Sequence, residues 1–262
     1  MATISLLSAK GAPGVTTTTV ALALAWRESN PGRSAIAVDA DPIGGDTAAG
    51  VLCGALARPA GLMSLAVARS ADPMGSVAEA AVDLRPDGAA RLLPGVPDEA
   101  RSGALVLAWE VLRSAQPVLD DSRTDLIVDA GRVGRGAVPA PWLAGSDLVV
   151  LLVRPTLPAV TAAHRFAVAW PLAAVPLHLV VIDAPSPYRP DSVAEAVGLP
   201  LLGGVAFDPA HARVHSEGAT PGRGFVRSAY ARSLRRLAGD AGALVAGASV
   251  SMRLTEVPNG RV

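Results

Sequence analysis

Lysine is almost absent from this chain: Lys10 is the only one, although lysine and arginine together number 23. With heavy use of alanine and glycine, that arginine preference reads as a base-composition bias. Arginine by itself therefore carries little functional weight, and the surviving lysine carries more. Cysteine is equally scarce. Cys53 stands alone, which excludes an internal disulfide framework and a cysteine-cluster metal site within one chain, and points to a reducing compartment. Aromatic residues make up 3%, too few to support base stacking on nucleic acid. Net charge is missing too: it is zero at pH 7, so no global field draws the chain to nucleic acid or anionic lipid, and such binding needs a local patch. No uninterrupted apolar run reaches the roughly 18 residues of a membrane span. The start, MATISLLSAKGAPG, lacks a basic n-region and a long apolar core, so a cytoplasmic protein without direct membrane insertion is expected. What remains, 262 residues that are 50% hydrophobic with 26 Gly, suffices for one substantial α/β core.

The surviving lysine lies in the most informative stretch, Ser8 to Thr17. An apolar run from Ile4 to Leu7 enters it and a helical pattern from Thr17 to Trp26 leaves it, giving the strand, loop and helix order of a phosphate cradle. Against G-x-x-x-x-G-K-[ST], Gly14 and Thr16 are in place. Ala9 stands where the first glycine belongs and Val15 where the lysine belongs, so the usual cation is missing from its slot.

Further along, Asn30-Pro31-Gly32 breaks the first helix, and a strand from Ser34 to Asp39 ends in Asp39-Ala40-Asp41-Pro42. Two carboxylates thus project from the carboxyl end of a strand, where open α/β sheets bind ligands. Two short helices are expected between Gly61 and Val82, a short strand at Arg91 to Pro94, and an amphipathic helix from Glu99 to Ala115. Apolar strands come next at Thr124 to Gly131, ending near Asp129, and at Asp147 to Val153. Helices at Ala159 to Trp170, Asp191 to Val197 and Ala210 to Glu217 then alternate with strands at Leu177 to Ile182 and Leu201 to Ala206, and a helix from Val226 to Ala246 closes the series. The alternation predicts an α/β fold: a doubly wound, mostly parallel sheet with helices on both faces. One domain over 1–248 and a frayed polar tail over 249–262 are expected.

A constellation emerges from the order. The Thr16 hydroxyl suits Mg²⁺, Asp129 suits the same ion through water, and Asp39 or Asp41 suits an attacking water at a γ-phosphate. Singly, each Asp is more often a cap or turn former.

These residues resemble the ParA/MinD group of deviant Walker A ATPases, whose loop reads K-G-G-x-G-K-[ST]. The chain supplies Lys10, Gly11, Ala12, Pro13, Gly14, Val15 and Thr16. The likeness continues through GRSAIAVDADP, LIVDAG, DLVVLLVRPTLPAV and GLPLLGGVAFDPAHARVHSEGATPGR, and so covers roughly residues 2 to 245. The resemblance implies the P-loop NTPase fold, ATP and Mg²⁺ as ligands, a homodimer and a protein partner. It implies a cradle from Gly11 to Thr17, catalytic roles for Lys10, Asp39 and Asp41, and metal contacts from Thr16, Asp39 and Asp129. It also implies adenine-side contacts from Asp183, Phe207 and Asp208. In such proteins the early lysine reaches a partner subunit's phosphates, and Lys10 matches it. The lysine that serves its own subunit is absent, since Val15 occupies that place. Losing one charge-assisted contact costs about 1.5–3 kcal/mol, or roughly tenfold to hundredfold in affinity. Ala12 replaces a loop glycine, Asp183 replaces an adenine-contacting Asn, and Ala206 replaces a proline. Ionised, Asp183 accepts a hydrogen bond but donates none.

Two functions are implied. One is an ATP-binding dimerisation switch that positions or partitions a larger cargo, with weak or absent hydrolysis. The other is a pseudo-ATPase scaffold that binds a protein partner without nucleotide, as in CpaE/TadZ-like relatives with altered loops. An arginine cluster, Arg223, Arg227, Arg232, Arg235 and Arg236, resembles the C-terminal basic residues with which ParA-like proteins bind DNA non-specifically. In an arginine-biased chain a solvated helix face is the commoner reading of such a cluster. The tail SMRLTEVPNGRV lacks the amphipathic basic pattern of a MinD-like membrane anchor. His211 and His215, at i and i+4, read as surface or capping residues rather than metal ligands.

Overall fold

A computed structural model describes residues 1–10, 13–56, 59–68, 71–132, 141–170, 172 and 174–255, with side chains as far as 247. The strands are β1 (Thr3–Ser8), β2 (Ser34–Asp39), β3 (Val82–Asp83), β4 (Ala90–Leu93), β5 (Thr124–Arg132), β6 (Leu148–Val153), β7 (Leu177–Asp183) and β8 (Leu201–Ala206). They form one sheet in the order β3-β4-β2-β5-β1-β6-β7-β8. Every pairing is parallel except that of β3 with β4, a short antiparallel edge that periodicity does not reveal.

The helices are α1 (Val15–Ser29), α2 (Leu62–Ala66), α3 (Pro73–Ala80), α4 (Gly103–Ser114), α5 (Gln116–Asp121), α6 (Pro141–Ala144), α7 (Leu157–Val168), α8 (Pro190–Val197), α9 (Pro209–Ser216) and α10 (Ala229–Thr255). They cover both faces, which is why the strands are apolar throughout instead of alternating with polar residues. Ile4, Leu6, Ala35, Ala37, Ile127, Val150 and Leu152 join Trp26 of α1 and Leu234 and Leu237 of α10 in one core. Their alternate neighbours, Leu7, Ile36, Val38, Leu126, Val128, Val149 and Leu151, join residues of α2 to α8 in the other.

Two features hold α1 against the sheet at the edge opposite the strand ends that carry Asp39 and Asp129. Asp125, wholly buried in β5, accepts hydrogen bonds from the Ala2 N–H at 2.6 Å, Trp26 Nε1 at 2.9 Å and Arg33 Nε at 2.5 Å. Asn30 closes α1 and donates its amide to the Trp26 carbonyl at 3.2 Å and the Ala238 carbonyl of α10 at 3.0 Å.

The helix expected over Glu99 to Ala115 is a 3₁₀ turn at Glu99–Arg101 followed by α4, and α5 and α6 lie beyond what the sequence pattern suggests. The final helix is a correction to the expected boundary. It runs to Thr255, into the segment read as tail, because Ala and Gly positions continue the helical series with no proline before Pro258. Residues 256–262 lie outside the described residues.

Candidate nucleotide site

The carboxyl ends of β1, β2 and β5 are neighbours in the sheet, so the loops that leave these strands converge on one place. The loop with the phosphate-cradle pattern leaves β1. Lys10 is exposed and has no partner among the described residues, while Gly11 and Ala12 lie outside them. Pro13 is buried, and Gly14 adopts the left-handed conformation with φ 91° that opens α1. A glycine suits that backbone geometry because it has no Cβ to clash. The first free N–H groups of α1 therefore face the cavity, a ready anion site by geometry and dipole.

Val15 is 7% exposed and packs in the core with Ile4, Leu6 and Trp26, while touching the cavity wall. The lysine slot is thus filled by an apolar side chain anchored inward. Thr16 and Thr17 line the cavity, which holds about 650 Å³ and is bounded also by Ser8, Asp41, Thr47, Arg132, His215 and Ser216. That volume suits a small-molecule ligand.

Asp41 lines the cavity, and two further aspartates lie buried behind its wall, bonded to the lining residues Thr47 and Gly131. Asp39 and Asp129 are register partners on β2 and β5, and both are almost wholly buried. Asp39 Oδ2 accepts the Thr47 hydroxyl at 2.7 Å and the Thr47 N–H at 3.2 Å, and Asp129 Oδ1 accepts the Gly131 N–H at 2.7 Å. Asp39 Oδ1 and Asp129 Oδ2 have no hydrogen-bond partner among the described residues. Burial raises the pKa of Asp129 to about 8, with the charge of Asp39 adding to it and the nearby Thr16 side chain and Gly131 N–H pulling the other way. Burial raises Asp39 as well, against the Thr47 bonds. Asp41, half-buried, is also raised by burial, opposed by the Ile43 N–H.

The orphaned oxygen of Asp129, with Thr16 nearby, and that of its register partner Asp39 fit a divalent cation. Among the described residues no group of three or more acidic, His or Cys side chains forms a metal cage. Magnesium suits that arrangement, because it binds through one or two carboxylates together with phosphate oxygens and water.

Glycines make room for these carboxylates, and sequence reasoning missed them. A Cβ at Gly45 would lie 2.3 Å from Asp39 Oδ2, one at Gly95 2.8 Å from the Asp39 carbonyl, and one at Gly131 2.3 Å from Asp41 Cγ. Thr47 was missed too, and only the fold of the loop after β2 brings it to Asp39. That loop closes against α9: a Cβ at Gly50 would lie 2.4 Å from the Ser216 carbonyl, and Cys53 Sγ donates to the Glu217 carbonyl at 3.2 Å.

A second cavity of about 360 Å³ adjoins the first through Pro13, Gly14, Thr17 and Ser216. Phe207 and Asp208 line it. Arg154 does too, with its guanidinium 5.4 Å from the centre of the Phe207 ring. Asp208 is committed to structure: it caps α9 through the His211 N–H at 3.1 Å and pairs with His211 Nδ1 at 2.5 Å, which holds its carboxyl below the usual range. Asp183 is exposed at the end of β7 and is not among the residues lining either cavity.

His215 corrects the surface reading of the histidine pair. It is buried, its Nδ1 lies 3.0 Å from the Tyr230 hydroxyl, and burial lowers its pKa to about 4. An i, i+4 pair shares a helix side, but the sequence does not tell which side meets α10.

The arginine cluster divides. Arg223, Arg227 and Arg236 are exposed side chains without ion-pair partners among the described residues. Arg232 donates to the Arg227 carbonyl, and Arg235 is tied to Glu28 at 3.3 Å and to the Val226 carbonyl at 2.7 Å. No helix of the described residues is long and apolar enough to cross a membrane.

The sheet is mostly parallel and doubly wound, with a helix after β1 and paired aspartates on β2 and β5. No family model matches the sequence, and no curated protein matches it. Solved structures do match. A chain of the MinC:MinD cell division protein complex of Aquifex aeolicus gives a TM-score of 0.69 at 16% identity, over 93% of this chain and 96% of that one. The septum site-determining protein MinD of Pyrococcus horikoshii OT3, complexed with Mg-ADP, gives 0.63 at 20% identity, over 90% and 94%. A ParA family ATPase from Chlorobium tepidum TLS gives 0.62 at 14% identity, over 90% and 98%. The architecture is that of the ParA/MinD ATPases.

Proposed function

We propose that this protein is an ATP- and Mg²⁺-binding dimerisation switch that positions or partitions a larger cargo and hydrolyses ATP slowly or not at all. The observation that carries the reading is the pair of buried, partner-short carboxylates, Asp39 and Asp129, on neighbouring strand ends, with Thr16 of α1 beside Asp129.

Thr16, Asp129 and Asp39 would hold the magnesium ion. When bound, that ion spreads positive charge over the phosphate oxygens. The chain's own contributions are then limited. The N–H groups at the start of α1 hold phosphate, Asp39 or Asp41 accepts a proton from an oriented water, and the loop after β2 covers the cavity. With Val15 turned into the core, no lysine of the same subunit touches the phosphates, so turnover is slow. Lys10, exposed and unpartnered among the described residues, is free to serve a second copy.

The matched structures support a partner-binding and positioning role: one is a complex with MinC and another carries Mg-ADP. The partner proposed here is a protein, with non-specific duplex DNA as a further surface through Arg223, Arg227 and Arg236. The site of action proposed is the cytoplasm. Titration of the purified chain with ATP and Mg²⁺, followed by light scattering, is expected to show saturable binding and a doubled mass. A monomer that ignores millimolar ATP contradicts the switch.

A second reading, a scaffold that binds its partner without nucleotide, is favoured by Val15 alone. Lys10→Ala separates the two: it abolishes ATP-dependent dimerisation in the switch and changes nothing in the scaffold.

A further inference from the structure

Val15 leaves the phosphate cavity without its usual lysine, and another cation lines it. Arg132 is the last residue of β5, and its side chain is exposed, borders the cavity and makes no hydrogen bond among the described residues, while its charge acts on the nearby Asp41 carboxylate. His215, the other basic side chain on the wall, is held neutral by burial at ordinary pH.

The backbone aims Arg132 specifically. Leu6 pairs with Asp129 but Ser8 pairs with Arg132, so two steps of β1 face three of β5, and the register slips at the strand's end. A bulge of this kind redirects a side chain. Gly131 forms it, with φ 65°, and has the Asp41 carboxylate packed against the face where a side chain would project. The same turn therefore places Arg132 beside Ser8, the residue that enters the phosphate loop.

We propose that Arg132 replaces the missing loop lysine, supplying from β5 the same-subunit positive charge that binds the terminal phosphates of a nucleoside triphosphate. A guanidinium fork grips phosphate oxygens in two places, which compensates for its approach from a neighbouring strand. The inference rests on the nucleotide-binding reading of this cavity.

Equilibrium titrations of ATP and AMP, each with Mg²⁺, test it on the intact chain, on Arg132→Ala and on Arg132→Lys. The unaltered protein is expected to prefer ATP to AMP. Arg132→Ala is expected to lose about ten- to hundredfold of its ATP affinity while AMP affinity stays the same. Arg132→Lys should fall between, and the ATP deficit of Arg132→Ala should shrink as salt rises and screens the contact. If the unaltered protein binds no nucleotide, the function reading itself fails. If it binds ATP and Arg132→Ala binds equally well, or loses ATP and AMP alike, the assignment to Arg132 is overturned. A gain in Mg²⁺ affinity with unchanged ATP affinity overturns it also, since Arg132 would then only offset Asp41.

Discussion

Two carboxylates that meet across adjacent strands in a dry site cannot both be charged cheaply, and Asp39 and Asp129 meet in that way. The consequence can be measured. In the folded protein the pKa of Asp129 stands at about 8, above the value of about 3.9 for an unfolded Asp. Below about pH 4 the group is protonated in both states and imposes no penalty. As pH rises, the unfolded chain gives up its proton first, so stability falls between about pH 4 and about 8. Thermal melts without Mg²⁺ should therefore decline over that interval, and Asp129→Asn should flatten the decline. Mg²⁺ added at pH 8 should raise the melting temperature of the natural chain and not that of Asp129→Asn. A profile that is flat in the natural chain contradicts the pairing. Thr47 is a smaller test. Thr47→Val removes the 2.7 Å hydroxyl bond to Asp39 and should cost about 1–2 kcal/mol in urea unfolding.

At the level of elements, the strands were legible because each is an almost unbroken apolar run, the mark of a sheet covered on both faces. β2 at Ser34–Asp39 and β8 at Leu201–Ala206 fall on the expected residues, and the loop and α1 come after β1 as the motif requires. The site was legible in part. Asp39, Asp129 and Thr16 announce themselves through strand ends and a motif, whereas Thr47, Gly45, Gly95 and Arg132 join them only through loop geometry and a bulge that no local pattern encodes. The short pieces β3, α5 and α6 are set by tertiary contacts, since two to six residues carry too little periodicity to be read. Asp125 shows the same limit, because nothing in TDLIVDAG distinguishes a buried anchor from a ligand. It gathers the Ala2 N–H, Trp26 and Arg33 at one point of β5. Asp125→Ala leaves the Trp26 indole N–H unsatisfied and the Arg33 guanidinium unpaired, and should destabilise the fold by about 3 kcal/mol in denaturant unfolding. A loss under about 1 kcal/mol would mean that α1 is held by apolar packing alone.

The whole molecule has no net charge, so any hold on DNA must come from the local patch at the start of α10. Arg235 is engaged by Glu28 and Arg232 by the Arg227 carbonyl, which leaves Arg223, Arg227 and Arg236 as the unengaged cations of the cluster among the described residues. If they grip the phosphate backbone, affinity for mixed duplex DNA falls steeply with salt. Each Arg→Ala change should then reduce the logarithmic salt slope by about 1 without altering any sequence preference. Affinity that does not respond to salt removes DNA from the list of partners.

If the cavity lined by Gly14, Thr16, Asp41 and Arg132 is a working nucleotide site, its occupancy joins two copies of the chain. Light scattering at a fixed protein concentration, with and without ATP and Mg²⁺, measures this most directly. A monomer is expected without nucleotide and a dimer at millimolar ATP, with Lys10→Ala remaining monomeric in both. A mass that is the same with and without ATP contradicts it.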